Sequence, residues 1–166
     1  EEIDISENRL LEKLNLNDNL LSEIELSYNN LLKVIEISGN NFESIDITGL
    51  NPTDLNLSYN RIATVELNDK ILLKFLDISS NQITNLNVSS NIQLDYLNTT
   101  QNLNLECIDV SKTQINNIPK NWEKDDFTRY SIDCINKDLI FYEIEIYNAI
   151  SPNGNDKNDF FYIKNA

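Results

Sequence analysis

Apolar and polar residues recur along this chain with a fixed spacing. A typical unit, LKFLDISSN at residues 73–81, has an apolar residue, two variable residues, an apolar pair flanking one polar residue, and an Asn three residues further on. Successive apolar pairs stand 10 or 11 residues apart, from Ile3 and Ile5 to Ile108 and Val110. Two units therefore make a repeat of about 21 residues, and a fixed period of this length is typical of a solenoid.

The alternation inside each unit predicts a short strand, because successive side chains of an extended chain point to opposite faces. One coil buries little apolar surface alone, whereas stacked coils bury a continuous core. The recurring Asn can satisfy backbone groups where the chain leaves each strand, since its side chain offers two donors and an acceptor oxygen. Leu50, Lys70 and Thr113 interrupt this Asn series. We expect a mainly β solenoid of parallel strands with few or no helices over residues 1–120.

The LxxLxLxxN spacing is the signature of leucine-rich repeats, and residues 1–120 resemble that family. They are most similar to the bacterial subclass in which units of 10 and 11 residues are nested in a 21-residue repeat. The resemblance implies a leucine-rich-repeat solenoid, closed at its C-terminal end by a cap and followed here by a short β tail.

The charge balance narrows the range of partners. Lys and Arg number 13 against 27 Asp and Glu, which gives a net charge of −14. Such an acidic chain is unsuited to nucleic acid or anionic lipid, whose phosphates attract basic residues. There is no apolar run of about 18 residues, so we expect no membrane insertion. The absence of His removes the commonest catalytic base and metal ligand, and we predict no enzyme activity and no catalytic residue.

Two surfaces are candidates for binding an unknown protein or glycan. The first is called the acidic stripe here. It consists of the acidic residues that stand between the two apolar residues of a pair in every second unit: Asp4, Glu25, Asp46, Glu66 and Asp109. Like charges on neighbouring strands repel, so this stripe is either a solvated face, a site for a basic partner, or a cation site such as one for Ca²⁺. The second is Phe75 with Tyr96, which occupy the same position in consecutive coils and either anchor a partner or lean over the sheet edge.

After Val110 the repeat decays, and residues 121–139 are predicted to cap the solenoid. Trp122, Phe127 and Tyr130 are the aromatic residues available to cover its exposed end. Cys107 and Cys134 bracket this segment. They could be bridged, free, or a metal pair, although two Cys without His make a poor zinc site. The segment also resembles the cap that ends bacterial leucine-rich-repeat arrays, which implies a Cys107–Cys134 disulfide and an oxidising location outside the cytoplasm.

Residues 140–166 change character and predict two short strands around a Pro-Asn-Gly turn. The stretch YNAISPNGNDKNDFF at 147–161 resembles the opening of the type B C-terminal sorting domain of type IX secretion, also called the gliding motility-associated C-terminal domain. The motif residues are Tyr147, Asn148, Ser151, Pro152, Asn153, Gly154, Asn158, Asp159 and Phe160. The domain is incomplete here. The resemblance implies export through the outer membrane of a Bacteroidetes-type bacterium, display or release at the cell surface, and capture of the tail by type IX components.

Three functions follow from these patterns. The first is an adhesin-like binding module at the cell surface. The second is a cargo protein whose tail is captured by the type IX translocon or shuttle. The third, a carboxylate glycosidase on a β-solenoid, is remote because the acids form monotonous rows rather than one distinct pair. No cofactor is predicted, with Ca²⁺ as an alternative at two places. One is the acidic stripe, and the other is the tail turn of Asn153, Asn155, Asp156 and Asp159, where the EF-hand register fails because Lys157 occupies a ligand position.

Overall fold

A computed structural model describes residues 3–135, and over this range the chain is a parallel β-solenoid. Each full coil contributes one strand to a continuous sheet, and the middle residue of each three-residue strand points inward. The predicted mainly β fold is therefore confirmed. In chain order the elements are β1 Lys13–Asn15, β2 Val34–Glu36, β3 Asp54–Asn56, β4 Phe75–Asp77, β5 Leu86–Asn87, β6 Tyr96–Asn98, β7 Cys107–Asp109, α1 Lys112–Ile115, β8 Trp122–Glu123 and β9 Arg129–Ser131.

One side of the solenoid is a six-stranded parallel sheet in the order β1-β2-β3-β4-β6-β8. Its register aligns equivalent residues of successive coils, so that Ile35 pairs with Leu55 and Leu76 with Leu97. These residues are fully buried, as the apolar pattern predicts. The repeat around Pro52 is one residue short, yet β3 pairs on both sides, because the deletion falls in the turn before the strand.

The opposite side pairs only near its C-terminal end, where β5, β7 and β9 form a three-stranded sheet. Leu86 and Ile108 are buried there, whereas the equivalent Ile24, Ile45 and Val65 of earlier coils are only half-buried. These earlier coils carry the consecutive carboxylates of the acidic stripe, while Asn87 separates the charges in the paired region. Repulsion between like charges on adjacent coils opposes the close approach that a hydrogen-bonded ladder requires.

The recurring Asn residues form ladders inside the solenoid. Asn60 donates from Nδ2 to the carbonyl oxygens of Ile37 in the preceding coil at 2.9 Å and of Leu57 in its own coil at 3.1 Å. Its Oδ1 accepts from the backbone N–H of Phe42 at 3.0 Å. The pattern repeats with Asn40, Asn81 and Asn102. In this ladder a buried amide thus satisfies backbone groups of two coils with both its donors and its acceptor, which confirms the structural role predicted from the spacing. In the ladder of Asn29 and Asn91, Nδ2 donates to two carbonyl oxygens while Oδ1 is buried without a partner.

Two of the three interruptions of the Asn series remain buried at the ladder position, and the third is displaced. Leu50 and Lys70 are 2 % and 1 % exposed. The ammonium of Lys70 lies 2.6 Å from Asp69. Beyond Thr113, Gln114 takes the role one residue late, and its Nε2 donates to the carbonyl oxygens of Val88 and Asn91. α1 presents Gln114 there and begins with a capping box formed by Ser111 and Gln114.

A left-handed residue recurs at one corner of the solenoid, immediately before the ladder Asn. Its φ values lie between 53° and 65° at Asp18, Gly39, Tyr59, Ser80 and Gln101. Glycine occupies this position only once, at Gly39, although non-glycine residues adopt such angles at an energetic cost.

The C-terminal cap continues both sheets. Trp122 fills the core position of β8 in register with Leu97, and its ring lies 5.7 Å from that of Tyr130 in β9. The Cys107–Cys134 disulfide is present, with the two Cα atoms 5.8 Å apart. Phe127 does not cover the core as expected, because its side chain is 54 % exposed. Within residues 3–135 no helix has the length and hydrophobicity of a membrane-spanning segment.

Candidate functional site

The outward side chains of the six-stranded sheet form a flat, regular surface, called the sheet face here. It has two rows along the stack of coils, one on either side of the buried central residue of each strand. The central row comprises Lys13, Val34, Asp54, Phe75, Tyr96 and Asn121, and the amide–acid row comprises Asn15, Glu36, Asn56, Asp77, Asn98 and Glu123.

Phe75 and Tyr96 form an aromatic stack in the central row. Their strands are in register, which places the ring centroids 4.5 Å apart with an angle of 6° between the planes. Both side chains are half-buried. The structure therefore brings these two predicted residues together on the sheet face. Because each ring already packs against the other, little side-chain entropy remains to be lost when a partner binds.

The amide–acid row alternates strictly between an Asn and a carboxylate. Asn15 donates to the Glu36 carboxylate of the next coil. Asp77 accepts from the backbone and hydroxyl of Ser79 at 3.0 and 2.6 Å, and Asn98 accepts from Thr100 in the same way. No two carboxylates of this row lie on adjacent coils, so the repulsion seen on the opposite side is avoided.

The environment of Tyr96 keeps its hydroxyl protonated. Burial raises the pKa of the phenol, and the nearby carboxylates of Asp77 and Glu123 raise it further. The neutral hydroxyl is therefore a hydrogen-bond donor at physiological pH, placed between two acids and beside an apolar ring.

The acidic stripe lies on the opposite side of the solenoid. Asp4, Glu25, Asp46 and Glu66 are exposed, and Asp109 is half-buried and accepts from the backbone N–H of Cys134 at 2.8 Å. The first three carboxylates each accept the backbone N–H two residues ahead. A depression of about 430 Å³ lies between the coils of Asp46 and Glu66. Across residues 3–135 no three acidic, Cys or His side chains converge as a metal site would require.

Hydrogen bonds within the acidic stripe lower the pKa of three of its carboxyl groups. Bonds from Ser6 and from Ser27 lower the pKa of Asp4 and of Glu25, and bonds from Thr48 lower that of Asp46. The negative charge of Asp46 acts to raise the pKa of Glu25 and so partly opposes this lowering, as a like charge should. A glycosidase acid needs a raised pKa. The pKa of Asp4, Glu25, Asp46 and Asp69 is lowered in each case, which is the opposite of that requirement.

A third row of residues along the edge of the sheet face was not predicted from the sequence. The residues that immediately precede the central row lie along one edge of the face, and we call them the margin row: Glu12, Lys33, Thr53, Lys74, Asp95 and Lys120. All but Thr53 are exposed. Their alternation of charge was visible in the sequence, but only the register shows which of them share an edge with the aromatic stack.

The type IX motif lies outside the described residues. Tyr147, Asn148, Ser151, Pro152, Asn153, Gly154, Asn158, Asp159 and Phe160, and the whole of 140–166, remain sequence predictions. The division at residues 120 and 139 is likewise a prediction, although β8 and β9 extend the two sheets without a break in pairing.

Comparison with solved structures finds a similar fold. The chain is similar to the functional domain of InlJ from Listeria monocytogenes, which is described as including a cysteine ladder, at 28% identity and a TM-score of 0.55. The match covers 66% of this chain, and the chain spans 27% of that chain's length. This chain has two Cys, both in one disulfide, and its recurring side-chain ladders are made of asparagine. No family model and no curated protein matches. The fold is that of a leucine-rich-repeat-like solenoid.

Proposed function

We propose that this protein is a non-enzymatic, adhesin-like binding module that works outside the cytoplasm and recognises a protein or glycan through its sheet face. The aromatic stack of Phe75 and Tyr96 is the observation that carries the proposal. Of the two surfaces predicted from the sequence, this one combines a rigid apolar anchor with hydrogen-bonding groups. The acidic stripe consists of carboxylates alone and adds no apolar anchor to them.

The surroundings of the stack fit an anchor for binding. Asp77, Asn98 and Glu123 lie in register beside it and offer acceptors and a donor to a polar partner. Aromatic residues flanked by polar groups are the usual composition of energetically dominant contacts in interfaces. The disulfide supports an extracellular location, because such bridges persist in oxidising compartments.

The proposal is tested with an array of glycans and extracellular matrix proteins. The immobilised wild-type chain should retain a defined set of these ligands, and Phe75→Ala with Tyr96→Ala should abolish retention. Tyr59→Ala is the matched control, because Tyr59 is also an exposed aromatic residue but lies at a corner, off the sheet face. Retention that survives loss of the stack, or that Tyr59→Ala removes equally, would refute the proposed site.

We further propose that the protein reaches the cell surface by type IX secretion, as cargo recognised through residues 147–161. The motif YNAISPNGNDKNDFF supports this route. In a bacterium with type IX machinery, replacing Asn153 and Gly154 by Ala should retain the protein inside the cell. Lys164→Ala, outside the motif, should leave surface display unchanged. Equal surface amounts of all three proteins would argue against the motif as the export signal.

A further inference from the structure

The sheet face has a charge pattern that is complementary to itself. The margin row places Lys33, Lys74 and Lys120 on alternate coils, and the coils between them carry Glu12, Thr53 and Asp95. In the amide–acid row, acids and amides alternate in the same rhythm. With six coils, reversing the order of the stack places each charged coil against one of opposite or neutral character.

From this pattern we infer that the sheet face pairs with the sheet face of a second copy of the chain, with the two stacks of coils antiparallel. The inference rests on the proposed function, since it uses the same surface and names one partner for it. Pairing is isologous, so each contact between the copies occurs twice around the two-fold axis.

The antiparallel arrangement brings together groups that attract. Along the margin, Lys33 faces Asp95 of the second copy, Glu12 faces Lys120, and Thr53 faces Lys74. Along the amide–acid row every carboxylate faces an amide, in the pairs Glu36 with Asn98, Asp77 with Asn56, and Glu123 with Asn15. No like charges meet in either row.

The central row decides the orientation. In the antiparallel arrangement Val34 packs against Tyr96 of the second copy, and Phe75 lies beside Asp54. With the stacks parallel, Asp54 would instead meet Asp54 and Lys13 would meet Lys13 on the two-fold axis. Like charges placed directly opposite each other are costly, which favours the antiparallel arrangement.

The size of the face predicts a weak dimer. Six coils spaced by roughly 4.8 Å, with about five residues of each strand region at roughly 3.3 Å, give on the order of 500 Å² per copy. Both copies together would bury about 1,000 Å², which is at the lower limit for a specific interface. Association should therefore depend on concentration, as suits adhesion by many weak contacts at a surface.

Sedimentation velocity of the full chain tests the inference at physiological ionic strength. The wild-type chain should show a concentration-dependent dimer. Lys33→Asp and Asp95→Lys should each weaken it at least about tenfold, because each places like charges together twice per dimer. The double variant Lys33→Asp/Asp95→Lys should recover most of the wild-type association. Lys33 and Asp95 lie three coils apart within one chain, so recovery cannot come from an internal pair.

Two controls make the same changes of net charge elsewhere. Arg61→Asp lies at a corner, and Glu25→Lys lies on the opposite side of the solenoid; both positions are exposed, and neither variant should change association. A chain that stays monomeric at all concentrations, or a double variant that does not recover, would overturn the inference. So would recovery by Lys33→Glu/Glu36→Lys, which signals the parallel arrangement. If self-association fails while loss of Phe75 and Tyr96 still abolishes retention of array ligands, the proposed function stands without this partner.

Discussion

Asn81 donates a hydrogen bond from Nδ2 to the carbonyl oxygen of Leu57, 24 residues earlier in the chain, over 2.9 Å. The same side chain accepts at Oδ1 from the backbone N–H of Ile62 at 2.8 Å. Asn81 is 8 % exposed. One side chain thus joins two consecutive coils at a place where the backbone, having left the strand, has no ladder partner of its own.

Replacing this amide should be costly. Asn81→Leu would leave the buried N–H of Ile62 unpaired and would remove one of the two amide donors to the carbonyl of Leu57, the other being Asn60. We expect it to lower the free energy of unfolding by about 2–4 kcal/mol. Asn19→Leu is the control, because Asn19 is exposed and bonds only to the carbonyls of Leu16 and Asn17 in its own turn. Its cost should be under about 1 kcal/mol. Urea denaturation measures both, and equal costs would contradict the ladder account.

The Asn ladder could be predicted from the sequence because its spacing is local. The sequence also shows where the Asn series is interrupted, but not how the fold accommodates the interruptions. Gln114 replaces the missing Asn from one residue further along, where the short helix α1 adjusts the register. The sequence also could not show which side of the solenoid forms the long hydrogen-bonded sheet, because this depends on contacts between coils. The strict alternation of Asn and acid permits the six-stranded sheet, whereas consecutive carboxylates from Asp4 to Glu66 oppose pairing on the other side.

The candidate site could likewise be predicted from the sequence only in part. The common repeat position of Phe75 and Tyr96 predicts that they are neighbours, and the structure confirms the contact. Which charges surround them follows only from the register of β6 with β8, where 25 residues separate Leu97 from Trp122 in place of the usual 20 or 21. The extra residues fall after α1, beyond the regular repeat, so the period could not place Glu123 beside the stack.

Lys70 offers a stabilising substitution. Its side chain is buried at a ladder position, and holding an ammonium there has a desolvation cost. Lys70→Asn should restore an amide that donates to the coil before it, as Asn91 does to Leu67. We expect a gain of about 1 kcal/mol in the free energy of unfolding.

Lys70→Met separates the effect of removing the buried charge from the effect of adding hydrogen-bond donors, because it removes the charge and adds no donor. Thermal and urea unfolding should rank Asn above Met. A Met variant as stable as the Asn variant would show that only the buried charge matters.

Replacing Gly39 by Ala should lower the free energy of unfolding more than replacing Gly49 by Ala. Both have positive φ, of 65° and 77°, so Ala is strained at either position. At Gly39 the added Cβ would also lie only 2.4 Å from Oδ1 of Asp18 in the preceding coil, while at Gly49 it meets nothing within 4 Å. We expect Gly39→Ala to cost about 1–2 kcal/mol more than Gly49→Ala. Adding Asp18→Gly, which removes Oδ1 and suits the φ of 56° at that position, should recover most of that difference in urea denaturation. If stability does not recover, the cost does not come from the contact with Asp18.

The cap should lose stability in alkali through Tyr130. Burial raises the pKa of its phenol to about 12, and its hydroxyl is buried with no partner. A pKa raised in the folded state gives stability that is complete below the unfolded pKa of about 10 and is lost as the pH rises towards 12. Thermal melting should therefore show a fall in Tm above about pH 10. In Tyr130→Phe the fall should be smaller and neutral-pH stability higher by about 1 kcal/mol, because an unpaired hydroxyl is removed. An unchanged alkaline profile would contradict this assignment.

The central claim is that the sheet face, and not the acidic stripe, contacts other molecules outside the cell. Hydroxyl-radical footprinting of the protein attached to the surface of the producing cell, read by mass spectrometry, tests it directly. Phe75 and Tyr96 should lose reactivity on attachment relative to the free protein, while the exposed Tyr28 and Tyr59 keep theirs. Protection of Tyr28 and of the residues between Ser44 and Glu66, with Phe75 and Tyr96 unchanged, would contradict the account.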